Sequence, residues 1–457
     1  MRKLLIANRG EIAVRIARAA REQGIATVAV YSAADKDAEH VRAADECVLV
    51  GPAPATASYL NVAAIMDAVR ESGADAVHPG YGFLSENADF AQAVLDAGAL
   101  WVGPSPTAIR EMGDKVAARK SAEAAGVPTV PGSPGEVHDA AEAEQIAQRT
   151  GFPLAIKAAA GGGGRGIRIV ERQEDLAAAI STAQAEARAA FGSDAVYVER
   201  FIPRARHIEV QIFGDGTNFV HLGLRDCSMQ RRRQKVIEEA GELGLPAAAS
   251  TGMAESAVQL AASVGYTGAG TVEFLYDEMR GEFYFIEMNT RIQVEHPVTE
   301  MIYQRDLVGE QLRVAAGAPL SFRQEELVPA GHAIEVRINA ENPAQSFLPS
   351  PGAITRFDLP AGPFVRVDSG FKAGSVVAPF YDSMLAKVIV WGEDRPRALA
   401  RLGRALDELV IEGVTTTADF VAAVLATDEF RTGRYHTTWL EGRLTAREQA
   451  RTETADA

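Results

Sequence analysis

Cysteine is nearly absent from this chain: only Cys47 and Cys227 occur among 457 residues. Two thiols cannot build a disulfide framework, and they supply no zinc-ligand spacing. A reducing cytoplasm is the compartment this usage suggests. Long apolar runs are also missing, so no membrane span is expected. The opening Met1-Arg2-Lys3-Leu4-Leu5-Ile6-Ala7-Asn8-Arg9-Gly10 has too short an apolar part for a signal peptide. Positive charge is in deficit. A formal charge of -15 argues against nucleic-acid binding, which needs a basic surface. Lysine is scarce beside arginine, which makes each lysine inside a motif more informative. The three-glycine dinucleotide fingerprint is absent from the first turn, where Asn8-Arg9-Gly10 holds a single glycine, so NAD binding is not indicated there.

The 47% apolar and 23% charged residues are those of a globular protein, and the length predicts two to four structural units. Residues 3–8 read as a buried strand, 10–23 as a helix and 26–31 as a second strand. Alternation continues with strands at 46–50, 76–78 and 101–103 and helices at 59–72 and 87–97. This is a doubly wound α/β unit ending near Gly113. His78-Pro79-Gly80-Tyr81-Gly82-Phe83 reads as a tight turn, placed where open α/β sheets bind ligands. Residues 131–200 read as a compact β-rich insert, with strands at 153–158, 167–170 and 196–201 and a helix at 173–191. The pattern changes again from Gly331, with strands at 333–339, 354–357, 365–368 and 384–391 and a helix at 395–410. The tail from about Arg443 is polar.

The most informative stretch runs from Phe285 to Glu295. Read as one strand, it places Glu287, Asn289, Arg291, Gln293 and Glu295 on one face and Ile286, Met288, Thr290, Ile292 and Val294 on the other. Residues 271–276 read as a partner strand. A hairpin turning about residue 280 sets Glu273 opposite Glu287. Facing carboxylates repel unless a cation lies between them, and magnesium is commonly held by one or two carboxylates plus substrate phosphates.

Gly161-Gly162-Gly163-Gly164-Arg165-Gly166 matches G-x-G-x-x-G, but a strand follows it where a dinucleotide site needs a helix, and no Gly-Lys-Ser/Thr closes it as a P-loop. Between two strands, with Lys157 at the end of the first, it reads as a moving lid whose backbone N–H groups approach phosphates. Lys115 precedes it. Residues 227–235 concentrate Arg231, Arg232, Arg233 and Lys235 in an acidic chain. They read as an anion site, with Glu238 and Glu239 close enough in sequence to pair with surplus charge.

Taken together, Lys157 with the glycine run, Arg225-Asp226-Cys227-Ser228-Met229-Gln230-Arg231-Arg232, residues 285–296 and Tyr381-Asp382-Ser383-Met384 closely resemble the biotin carboxylases. These are the ATP-grasp subunits of biotin-dependent carboxylases such as acetyl-CoA carboxylase. The resemblance runs from about Lys3 to about residue 440. It implies a mixed α/β and α+β fold. A Rossmann-like domain would span 1–113, an ATP-grasp domain 114–330 with a mobile lid at about 131–202, and a C-terminal domain 331–445, before a polar tail at 446–457.

By resemblance, Lys115, Lys157, Gly162, Gly163, Gly164, Glu199, His207 and Gln230 bind ATP. Glu273 and Glu287 hold magnesium (or manganese), with Asn289 beside them. Lys235, Arg291, Gln293 and the Val294 backbone take bicarbonate. Glu295 is the general base, Arg337 stabilises the biotin enolate, Asp382 lies near the biotin end, and Arg18 lies at a homodimer interface. Three departures bear on nucleotide affinity: Arg233 replaces a common histidine, Arg200 a common lysine, and Gly241-Glu242 a proline-bearing continuation. No lysine follows a methionine, so the Met-Lys-Met biotinylation signature is missing and biotin is expected on a separate carrier protein, with a separate carboxyltransferase subunit. Two other readings stay open: an ATP-grasp carboxylate–amine ligase, and a non-catalytic nucleotide-binding regulatory subunit.

Overall fold

Leu4, Leu5 and Ile6 are apolar without alternation and almost fully buried, as a central strand covered on both faces requires. The computed structural model, which describes residues 1–158, 167–191 and 194–446, makes them the middle of a parallel sheet. Its strands are β1 (Lys3–Ile6), β2 (Ala26–Ser32), β3 (Glu46–Gly51), β4 (Ala76–His78) and β5 (Leu100–Trp101), in the order β3-β2-β1-β4-β5. Helix α1 (Gly10–Glu22) follows β1. The strand order reverses between β1 and β4, so the loops after these two strands diverge and leave a crevice. The expected Rossmann-like unit is present, with its first and last strands shorter than the apolar runs suggested.

A second, three-stranded antiparallel sheet has the order β7-β6-β8, from β6 (Leu154–Ala158), β7 (Ile167–Val170) and β8 (Val196–Arg200). Helices Ala140–Thr150 and Gln173–Phe191 close its core around Leu154, Ile156, Leu176 and Val198. The glycine run at 161–166, including Gly162, Gly163 and Gly164, lies outside the described residues.

The largest sheet has eight antiparallel strands. It begins with β13 (Glu282–Asn289), β12 (Thr267–Asp277), β9 (Ala205–Asp215), β10 (Phe219–Arg231), β11 (Gln234–Ala240) and β14 (His332–Asn339). Met384–Gly392 and Val365–Ser369 complete it, in that order. The sheet crosses position 331, where the sequence pattern changes, because β11 pairs with β14. Ile208, Val210 and Ile212 of β9 share a core with Met253, Ala257 and Leu260 of the helix Ala247–Ser263.

The hairpin expected at 271–295 forms with Glu273 opposite Glu287, but by a different route. Phe274 pairs with Phe285, so the tip is one residue out of the expected register and a bulge at Ile286 restores it. Ile286, expected on the apolar face, is 38% exposed as a result. The strand ends at Asn289, not at Glu295. Residues 290–295 form an irregular segment leading into the helix His296–Tyr303, whose early Pro297 suits a helix start. The polar face is not a wet outer face: Asn289, Gln293 and Glu295 are buried.

Further along, the strand expected at 354–357 appears as Gly352–Ala353 and Arg356–Asp358, and the helix from Arg395 stops at Glu408. The basic segment proves to be the β10–β11 hairpin. Arg232 and Arg233, with φ of 47° and 66°, make its left-handed two-residue turn. Glu238 and Glu239 do not pair with these arginines. They point instead to Arg337 and to Arg395 with His332, because β11 continues away from the tip.

Gly241 explains one departure from the family pattern. Its φ is +132°, and a Cβ there would meet His332 Nδ1 at 2.7 Å and Gly331 O at 2.8 Å. Proline, fixed near −65°, cannot adopt that backbone. Gly241→Ala is expected to destabilise the fold by about 1–3 kcal/mol, read as a lower urea midpoint. A pH effect belongs to Glu239 next door. Burial acts to raise its pKa, but hydrogen bonds from His332 and Arg395 bring it down to about 2. Because the folded value lies below the ordinary 4.5, this stabilisation is complete above the ordinary value and disappears as pH falls toward about 2. The stability gap between wild type and Glu239→Gln should therefore narrow over that range in urea denaturation.

Candidate active site

Three strands bring three carboxylates into one row. Glu209 on β9 pairs with Glu273 on β12, which pairs with Glu287 on β13. Cross-strand neighbours of like charge repel, and burial strengthens the repulsion. The fold answers with cations at one end. Lys235 Nζ bonds to Glu209, to Glu273 at 3.1 Å and to Glu295 at 2.7 Å. His207 Nε2 lies 2.8 Å from Glu273 and 3.3 Å from Glu209. Burial would lower the His207 pKa, but the two glutamates push it up to about 10. Glu273 is held well below the carboxylate range: burial opposes this, and Lys235 and His207 outweigh it.

Arg225 forms the floor. It is wholly buried and donates to Gln211 (2.7 Å), Thr299 (3.0 Å), Glu209 (3.3 Å), Thr271 (3.0 Å) and Gln293 (2.6 Å). Gln293 and Asn289 each donate to Glu273 at 2.8 Å. Glu287 is different. Burial and Glu273 raise its pKa, and among the described residues it has no hydrogen bond or ion pair.

A cleft of about 1440 Å³ opens beside this row. Its lining includes Lys115, Lys157, Glu199, His207, Gln230, Lys235, Glu273, Glu287, Asn289, Arg291, Gln293, Val294, Glu295 and Arg337, so every described residue expected in the site meets there. Lys157 and Glu199 form an ion pair between β6 and β8 on the small-sheet wall. Lys115 begins the helix Lys115–Ala124 and acts electrostatically on Glu287. Asp382 also lines the cleft. Arg18 does not: it is exposed on α1. Arg233 reaches the lining from the hairpin turn, and Arg200 reaches it from the end of β8, donating to Tyr284 Oη at 2.8 Å and to Thr150 O at 3.2 Å.

At the far end, Glu295 lies between two cations, Lys235 and Arg337, whose Nη2 is 2.9 Å away. Burial acts to raise its pKa, but Lys235 and Arg337 lower it, leaving an ionised carboxylate able to accept a proton. Arg337 Nε donates to the buried Glu238 at 2.6 Å. Lys387, also fully buried, donates to Val294 O at 2.7 Å and fixes that part of the irregular segment.

Sequence reasoning missed Glu209, Arg225, Glu238 and Lys387 as parts of this site. Glu209 was in principle accessible from the hairpin logic, but its pairing with β12 joins segments about sixty residues apart and no local signal announces it.

Removing the shared cation tests this account. Lys235→Gln leaves Glu209, Glu273 and Glu295 mutually repelling in a buried setting. Breaking such a pair costs about 3–5 kcal/mol, which chemical denaturation should show.

Comparison with known proteins gives a consistent result. Residues 1–109 match the family described as biotin carboxylase, N-terminal domain. Residues 114–323 match the carbamoyl-phosphate synthase L chain, ATP binding domain. Residues 335–442 match the biotin carboxylase C-terminal domain. Biotin carboxylase 1 of Bacillus subtilis (strain 168) is 52% identical over 96% of this chain and 98% of its own length. Methylcrotonoyl-CoA carboxylase subunit alpha, mitochondrial, of Oryza sativa subsp. japonica is 50% identical over 96% of this chain and 60% of its own. Among solved structures, a biotin carboxylase–βγ-ATP complex from Campylobacter jejuni superposes with a TM-score of 0.89 at 46% identity, covering 96% and 98% of the two chains. The biotin carboxylase domain dimer of Hydrogenobacter thermophilus 2-oxoglutarate carboxylase, in complex with MgADP, ADP and bicarbonate, gives 0.88 at 46%, covering 96% and 97%.

Proposed function

The chain belongs to the biotin carboxylase family of ATP-dependent ligases, and on that premise we propose that this cleft makes carboxybiotin from ATP, bicarbonate and biotin. The observation that carries the reading is the buried chain Lys235–Glu295–Arg337–Glu238, which joins a base to two cations at the end of the carboxylate row. A carboxylate–amine ligase needs the row and a phosphate lid, but not this pairing of Glu295 with Arg337.

Lys235, Arg291, Gln293 and the Val294 backbone hold bicarbonate, and Glu295 takes its proton. The oxyanion attacks the γ-phosphorus of ATP, giving carboxyphosphate and ADP. Positioning and charge neutralisation do most of this work. Lys115, Lys157, Glu199, His207 and Gln230 place the nucleotide; the expected phosphate-binding Gly162, Gly163 and Gly164 lie outside the described residues. Carboxyphosphate then releases CO2 and phosphate, and the phosphate removes the N1′ proton of biotin. N1′ attacks CO2 while Arg337 stabilises the charge on the ureido oxygen.

The donor set fits magnesium (or manganese), a hard cation that takes oxygen ligands. Burial and Glu273 disfavour the charge on Glu287 more than Lys115 and His207 favour it, and among the described residues its side chain has no hydrogen bond or ion pair, so a cation would complete its neutralisation. Glu273 and Glu287 would hold the ion, with Asn289 beside them. When bound, it neutralises phosphate charge.

The remaining assignments belong to the same proposal. Units at 1–113, 114–330 and 331–445 follow the change from parallel to antiparallel sheets and the sequence pattern. Biotin arrives on a carrier protein and leaves toward a carboxyltransferase subunit, in keeping with the lack of a Met-Lys pair. A homodimer is supported by the dimeric Hydrogenobacter relative and the exposed Arg18 on α1. The free thiols Cys47 and Cys227 suit the cytoplasm.

Glu295 and Arg337 act at different stages, which gives the test. Glu295→Gln should abolish bicarbonate-dependent ATP cleavage. Arg337→Ala should keep part of that cleavage while carboxybiotin formation falls about 10²–10³-fold. Arg337→Lys keeps a charge beside Glu238 and guards against misfolding. ADP release and biotin carboxylation are followed in parallel. Equal loss of both rates in the Arg337 variants would remove its biotin-side role.

A further inference from the structure

Arg291 is gripped by a residue from the parallel-sheet unit. Its Nε donates to Glu86 Oε2 at 2.9 Å, and the Thr290 backbone N–H donates to Glu86 Oε1 at 3.2 Å. Both oxygens of one carboxylate thus hold a side chain and the adjoining backbone, just where β13 has ended. Its other donors reach Asn289 Oδ1 at 2.9 Å and Ile292 O at 3.2 Å, so the guanidinium has a single well-defined setting.

Glu86 is itself firmly placed. Asn87 accepts from Phe90 N at 2.8 Å and caps the helix Ala88–Asp96, and Phe90 packs against Trp101 in the core beside the parallel sheet. Ser85 N closes a turn onto Gly82 O at 3.0 Å. The Glu86 side chain is 40% exposed and that of Arg291 20%. A pair this exposed adds little to stability. Its effect lies in orientation.

We propose that Glu86 is a positioning residue for bicarbonate: it sets the angle of Arg291 and of residues 290–292, and so ties bicarbonate affinity to the seating of the parallel-sheet unit. The proposal rests on the reading of Arg291 as a bicarbonate-binding group.

Two effects of removing Glu86 have opposite signs. Loss of a nearby negative charge, acting through space alone, would favour an anion and lower the KM for bicarbonate. Loss of positioning raises it. The test is steady-state ATP cleavage with bicarbonate and ATP varied separately, for wild type, Glu86→Gln, Glu86→Asp and Arg291→Lys. Expected for Glu86→Gln is a rise in bicarbonate KM of about tenfold, the scale of one charge-assisted hydrogen bond. The drop in kcat should be smaller, and the KM for ATP should stay within about twofold, below the reach of one such bond. Glu86→Asp, which keeps the charge on a shorter arm, should fall between. A bicarbonate KM that is unchanged or lowered in Glu86→Gln, while Arg291→Lys raises it, overturns the proposal alone. A parallel rise in the KM for ATP marks a merely structural role and also overturns it. An unchanged bicarbonate KM in Arg291→Lys overturns the assignment of Arg291, and this proposal with it.

Discussion

Everything in this site depends on how the row Glu209–Glu273–Glu287 is neutralised. Three acidic side chains on adjacent antiparallel strands form an arrangement that a sheet tolerates only with counter-charge. Lys235, His207 and Arg225 supply it around Glu209 and Glu273. At Glu287 the described residues supply no side-chain hydrogen bond or ion pair, only the more distant charges of Lys115 and His207. That asymmetry underlies the proposed binding site: the neutralised end is held by hydrogen bonds, and the other end is the one proposed to take a cation.

The same logic orders the far end. Glu295 is ionised because Lys235 and Arg337 face it, and Arg337 keeps its direction because Glu238 holds its other edge. Lys387 fixes the Val294 carbonyl from behind, and Glu86 fixes Arg291 from the side. Arg337, the Val294 carbonyl and Arg291 are thus each aimed by a partner outside the cleft lining, which spares the site reorganisation when charge develops. Those partners come from distant parts of the chain. The cleft exists only where the crevice of the parallel sheet, the small-sheet wall and the face of the large sheet meet.

A further coupling joins the N-terminal unit to the last strands. Arg9 forms two hydrogen bonds to Asp35, at 2.6 and 2.8 Å, and lies over the Tyr381 ring, 4.2 Å from its centre. Tyr381 in turn donates to Ala53 O at 2.5 Å. The loop after β1 thus seats Tyr381 against the crevice mouth and joins two walls of the cleft.

Much of this was legible in the residues themselves. The parallel unit followed from apolar strands alternating with amphipathic helices, and Glu273 opposite Glu287 followed from period two across a short hairpin, both local properties of the chain. The facing carboxylates Glu273 and Glu287 were equally local, and the motif set resembled the biotin carboxylases. Three matters were decided only by tertiary structure. The bulge at Ile286 and the end of β13 at Asn289 depend on packing that no alternation pattern encodes, so the polar face turned into a buried cleft. Glu209, Arg225 and Lys387 acquired their roles through pairings between segments far apart in sequence. Glu238 and Glu239 lie next to the arginine-rich turn in sequence, yet the strand carries them away to Arg337 and Arg395. Sequence proximity governs turns, caps and periodicity. The partner of a buried charge is set by whichever opposite charge the folded chain brings within hydrogen-bond reach.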